Sequence, residues 1–196
     1  MYLMEFLLMS HFIIKLTFLN IKTMKFIKFL FGLTILLIAQ DLTAQNIQGY
    51  SFDNYPTNLV SSQKAKINYS SNKLGKEYKT EITEQYKKGK IEFGGHYVLI
   101  FWGAGMGLTV GAMVDVKDGK IYELPLDEEN SYREAYHDSD NILYKSKSNL
   151  FICYRPRDNK SDKNKVDLTY YFYKWDDTTK KFILLKTKKA TVERIV

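Results

Sequence analysis

The chain has 196 residues, with 29 Lys plus Arg against 22 Asp plus Glu for a formal net charge of +7, and a single cysteine, Cys153. One cysteine excludes an internal disulfide, so the fold must be held by its apolar core, to which 15 tyrosines and 12 phenylalanines contribute. Lysines in 64–90 and 155–165 are interspersed with acids and serines, the pattern of a solvated surface rather than of one anion-binding patch.

Residues 1–23 form an apolar segment broken by His11, Lys15 and Lys22, which reads as an upstream extension from an over-early start. From Met24 the pattern is that of a secretory signal peptide over residues 24–44. Lys25 and Lys28 are the basic region, Phe29 to Ala39 the apolar stretch, and Leu42-Thr43-Ala44 a small-residue cleavage site. The apolar stretch is shorter than the roughly 20 residues that span a bilayer. An uncleaved anchor is the alternative. The expected location is periplasmic or secreted, with residues 45–196 as a single exported β-rich domain and membrane contact only through the signal segment. Without the four lysines and two acids of residues 1–44, 25 basic side chains face 20 acidic ones, a net charge of +5. Outside the cell interior this balance points away from nucleic acid. An envelope protein or an anionic envelope component is the expected partner.

The exported part reads as α+β, mainly β, with an antiparallel meander-type sheet of about six to seven strands and one short N-terminal helix. After a polar lead-in to about Asn72, residues 76–88 place Tyr78, Ile82 and either Tyr86 or Gln85 on one helical face, and Gly89 suits a C-terminal cap. Strands are expected at 97–102, 112–116, 120–124, 142–145, 150–154, 168–175 and 182–188. Asp118-Gly119 carries the signature of a type I′ hairpin turn, and 176–180 joins the last two strands. Residues 167–175 are aromatic on both faces, as in a strand covered on both sides or one exposing a tyrosine face. Arg155 to Lys165 reads as a polar, flexible loop. Cys153, within Leu150-Phe151-Ile152-Cys153-Tyr154, reads as a buried, inert thiol.

Seven of the eleven glycines lie between Phe93 and Pro125. Glycines wedged between apolar runs imply positive φ angles or close backbone approach. Gly103-Ala104-Gly105-Met106-Gly107 follows a strand, as phosphate loops do. Leu108 nevertheless breaks the dinucleotide fingerprint, Gly-Lys-Ser/Thr is absent, and the continuation is strand-like. A tight crossover between strands is the reading, with a backbone anion nest as the alternative.

The string Phe93-Gly94-Gly95-His96-Tyr97, with Trp102-Gly103-Ala104-Gly105, Asp115 and Gly119-Lys120-Ile121-Tyr122, resembles a family of exported bacterial proteins of unestablished function. Its pattern reads Asn-Phe-Ala-Gly-His-Tyr, then Trp-Gly-Cys-Gly, a second cysteine and Gly-Lys-Val-Tyr. The likeness covers about half of the exported part. Glu92 replaces the family's Asn, and Ala104 and Leu108 stand at its two cysteine positions. Any redox or metal role of those cysteines therefore does not carry over.

Candidate catalytic residues are His96, supported by Asp115 or Glu92, since an imidazole at a strand entrance can act as acid or base near neutral pH. The bland account is a histidine pinning a turn. Candidate binding residues are Gly94, Gly95, His96, Trp102, Gly103, Gly105 and Gly107. His137 with Asp138 and Asp140 reads as a solvated turn, and Glu128, Glu129 and Glu134 have no EF-hand spacing, so no metal and no cofactor is expected. The functional expectation is an exported, non-enzymatic binding or protein-interaction module, in one version an inhibitor or immunity-like protein. The alternative is a small hydrolase or ligand-binding enzyme using His96.

Overall fold

The computed structural model describes residues 46–132 and 141–194. The readings of the upstream extension, the signal segment, Glu134, His137, Asp138 and Asp140 lie outside them. Residues Gln45–Val196 form one compact unit. Its described elements are β1 (Asn46–Ile47), β2 (Tyr50–Ser51), α1 (Leu74–Glu77), α2 (Lys79–Lys88), β3 (Tyr97–Gly103), β4 (Thr109–Asp115), β5 (Ile121–Glu123), β6 (Ile142–Tyr144), β7 (Leu150–Asp158), β8 (Lys165–Asp176) and β9 (Lys181–Glu193).

The mainly β, α+β class holds, and all the strands expected between 97 and 188 are present. They form two antiparallel sheets rather than one meander, β3-β4-β5 and β6-β7-β8-β9, and β1-β2 makes a third. Strand order still follows the chain within each sheet. The break falls after Leu124-Pro125, where proline withdraws a backbone donor and ends the pairing of β5.

Alternation along each strand stacks the layers. Val98, Ile100, Ala112, Val114 and Ile121 turn to one side and pack with Leu74, Ile82 and Tyr86 of the helices. Tyr97, Leu99, Met113 and Leu124 turn to the other side and meet Phe151, Cys153 and Trp175. The opposite face of the four-stranded sheet packs Leu150, Ile152 and Phe172 against Phe52. The order is therefore helices, three-stranded sheet, four-stranded sheet, N-terminal hairpin. Each fully enclosed large apolar side chain contributes about 1.5–3 kcal/mol. The aromatic strand at 167–175 is the one covered on both sides, Phe172 on one face and Trp175 on the other.

Several local expectations are corrected. The polar lead-in contains the β1-β2 hairpin. The single helix is two, because Tyr78 leaves helical geometry at φ −118, ψ 39. Gly89 is extended (φ −66, ψ 166) rather than left-handed. Glycine is needed there because a Cβ would lie 2.7 Å from Val98 Cγ1. Gly89 still caps the helix through its N–H to Gln85 O at 2.7 Å, and the Lys64 ammonium adds to that end by donating to the carbonyls of Tyr86 and Gly89. Asp118 does not take a positive φ, whereas Gly119 does (φ 73), so a four-residue loop closes the hairpin instead of a type I′ turn. Arg155–Asp158 belong to β7 and pair with β8, shortening the polar loop. The glycine crossover is a hairpin between adjacent strands, closed by Ala104 N–H to Leu108 O at 2.9 Å. Cys153 is enclosed, and burial pushes its thiol well up.

Candidate functional site

Two residues of the expected site meet directly. His96 ends the turn that leads into β3, and Asp115 ends β4, so antiparallel pairing of Tyr97 with Asp115 brings their side chains together. Asp115 accepts from Lys117 N–H at 2.9 Å, and its Oδ1 lies 2.8 Å from His96 Nδ1. Burial alone would raise the Asp115 carboxyl, but the His96 and Lys117 hydrogen bonds outweigh it and lower it. The carboxylate therefore accepts, and Nδ1 carries the proton.

His96 Nε2 faces a second carboxylate, Asp177 Oδ1 at 3.3 Å. The same oxygen accepts from Tyr97 OH at 2.5 Å, Lys180 Nζ at 2.7 Å and Trp175 Nε1 at 3.2 Å. Trp175 Nε1 and Lys180 Nζ also donate to the Tyr97 oxygen, at 3.2 and 3.1 Å. Burial would raise the Asp177 carboxyl, yet the donors from Lys180, Tyr97 and Trp175 prevail and hold it well below the usual range. Burial, reinforced by Asp177, pushes the Tyr97 phenol far up. Asp177 and Lys180 sit in the β8–β9 turn, with Lys180 in the left-handed region (φ 55). The cluster thus ties the β3-β4 hairpin to the β8–β9 hairpin of the other sheet.

The chemistry of this arrangement is that of a filled network. His96 is 4% exposed, and among the described residues its ring partners are both carboxylates. A general base needs a lone pair open to a substrate, and the His96 ring is enclosed, with Asp177 Oδ1 3.3 Å from Nε2 in ion-pair range but not hydrogen-bonded to it. Tyr97, the residue that follows His96, shares the cluster, with ring centroids 4.1 Å apart. Strand alternation does not apply across this step because His96 precedes the strand. Glu92 is not among the His96 partners. Its backbone N–H donates to Tyr97 O, and burial raises its carboxyl against the opposing effects of Lys90 and the Leu99 backbone.

The glycines of the expected binding set divide in two. Gly94 (φ 56) and Gly95 (φ 79) are buried and donate to Ser148 O and Ser146 O. A Cβ on Gly95 would lie 2.2 Å from Asn58 O, so these positions permit close passage of neighbouring backbone. Gly103, Gly105 and Gly107 are exposed at the β3–β4 turn, where Met106 is 91% exposed. Trp102 turns to the helix layer, its ring 4.4 Å from that of Tyr78, and its indole N–H has no hydrogen-bond partner among the described residues. A cavity of about 330 Å³ beside the turn is lined by Gly105, Met106 and Tyr132 with Glu128, Glu129 and Arg155. Two carboxylates against one guanidinium disfavour the anion that a nest of backbone N–H groups would hold.

Sequence reasoning missed Asp177, Lys180 and Trp175 as members of the His96 cluster. The only signal was the aspartate-rich turn after the aromatic strand, and nothing in its spacing indicates a partner 80 residues earlier. A second, open depression of about 420 Å³ lies next to the cluster, lined by Tyr122, Glu123, Trp175, Lys180, Lys181 and Phe182 among others. No group of His, Cys, Asp and Glu side chains able to hold a metal occurs among the described residues. No protein-family model matches the chain, and no curated protein or solved structure is significantly similar to it.

Proposed function

We propose that the chain is an exported, non-catalytic binding module, periplasmic or secreted, acting on an envelope protein or an anionic envelope component. The observation that carries this reading is the occupancy of His96. His96, the only histidine among the described residues, is enclosed and lies between two carboxylates, while the exposed surface offers lysines and apolar side chains on a long strand. The +5 charge of residues 45–196 favours an acidic partner and disfavours a cationic one such as a basic lysozyme. Capture from the envelope fraction with the tagged protein, followed by identification and reconstitution with the purified partner, tests the reading. Failure to reconstitute a complex with any captured species would count against it.

Two observations favour a His96-centred hydrolase as a second reading: Asp115 holds the imidazole at 2.8 Å, as the orienting carboxylate of a base does, and an open depression lies beside the cluster. A turnover found by substrate screening that disappears in a folded His96→Ala variant would establish it.

A further inference from the structure

The sheet edges of this fold are treated unequally. Beside β3, the Gln85 amide stands in for a strand. Its Nε2 donates to Phe101 O at 2.8 Å and its Oε1 accepts from Phe101 N–H at 3.1 Å. Beside β5, Asn68 makes a bridge to Lys120. The outer edge of β9, the longest strand at 13 residues, pairs with no strand among the described residues. Trp175 N–H donates to Asn149 O on the β7 side, so antiparallel alternation turns the even-numbered β8 groups toward β9. Their β9 partners Ile183, Lys186, Lys188 and Ala190 face inward. The backbone groups of Leu184, Thr187, Lys189 and Thr191 face outward, the shift at Phe172/Tyr173 lying between Leu184 and Lys186.

We infer that this edge accepts an extended acidic segment of a partner protein as an added strand. The inference rests on the binding-module reading and names its surface and the chemistry of its partner. Three observations converge on it. Ile183 and Leu184 are 46% and 51% exposed, giving an added strand apolar contacts. By alternation Lys186 flanks the edge on one face and Lys189 on the other, Lys188 being turned to the N-terminal hairpin, where its ammonium donates to Gln48 O, while β9 has no acidic residue before Glu193. The 420 Å³ depression adjoins the start of the strand, with Lys180, Lys181 and Phe182 in its wall. Lysines on a free edge repel a second copy, because pairing would set like charges opposite one another. The same lysines attract glutamate and aspartate. A polyanionic glycan could engage the lysines but could not satisfy the outward backbone groups, whereas main-chain pairing supplies much of the affinity when a strand is added.

The test is fluorescence anisotropy with the protein and a labelled peptide of about twelve residues alternating glutamate and valine. Thr187→Pro removes one outward N–H at an edge position where proline is tolerated. The expected result is salt-sensitive binding that weakens about tenfold in Thr187→Pro and about tenfold when alternate peptide amides are N-methylated, a change that leaves the protein untouched. Equal binding by Thr187→Pro and by the N-methylated peptide would overturn strand addition while leaving an electrostatic binding module. Binding of inorganic polyphosphate or alginate without binding of the peptide would overturn the peptide partner. Absence of all binding would overturn the inference, and the broader reading would still be judged by reconstitution with its captured partner.

Discussion

Replacing Asp177 with alanine removes one oxygen that accepts from three side chains and faces a fourth. The costs are unequal. Lys180 is 34% exposed and regains water, and Trp175 Nε1 keeps the Tyr97 oxygen. The Tyr97 proton loses its acceptor inside a fully buried residue, which costs about 1–3 kcal/mol. His96 Nε2 loses its facing carboxylate, but Asp177 is itself 41% exposed, so that contribution is discounted toward the value of a surface pair. The expected total is about 2–3 kcal/mol, or a fall of roughly 5–10 °C in Tm for a unit of this size. The pH dependence follows from the lowered Asp177 carboxyl. A depressed carboxyl contributes stability that is fully present above its unfolded value, near 3.9, and is lost as pH falls toward the folded value. Thermal unfolding followed by circular dichroism should therefore show a constant gap between wild type and Asp177→Ala from about pH 5 to 8, closing below about pH 4. A variant within about 1 °C of wild type at neutral pH, or a gap unchanged in acid, would refute this account of the cluster.

Two further substitutions probe other parts of the fold. Gly95→Ala forces a Cβ to 2.2 Å from Asn58 O at φ 79 and should cost roughly 3 kcal/mol in urea unfolding, whereas Gly103→Ala, whose Cβ meets nothing within 4 Å, should stay within about 0.5 kcal/mol. Tyr97→Phe should cost about 1–2 kcal/mol at neutral pH. Because the folded phenol is raised, its stabilisation is present below the unfolded value near 10 and lost as pH rises beyond it, so the difference from wild type should narrow in alkaline unfolding.

Local features were legible where local chemistry decides them. The spacing that began at Tyr78 and ran through Ile82 to Tyr86 or Gln85 marked a helix whose buried residues are Ile82 and Tyr86, and the strands between Tyr97 and Lys188 followed from alternation and turn residues. The split into three sheets was not legible, because nothing in Leu124-Pro125 states whether the next strand rejoins the same sheet. Gly89 and Asp118 misled for a related reason. The turn preferences were real, but Lys64 at the helix end and the backbone of residues 66–68 beside Gly119 determined the geometry. At the candidate site, proximity of His96 to Asp115 was conceivable from the hairpin between them. Asp177, Lys180 and Trp175 come from another sheet, and long-range packing leaves no mark in local spacing.

The central claim is that His96 joins two carboxylates from opposite sheets into one structural tie. A double-mutant cycle with Asp115→Asn and Asp177→Asn, measured by urea unfolding at neutral pH, tests it most directly. If the ring couples the two groups, the double variant is less destabilised than the sum of the single variants by at least about 1 kcal/mol. Additivity within about 0.3 kcal/mol would contradict the claim and leave the two carboxylates as independent neighbours of His96.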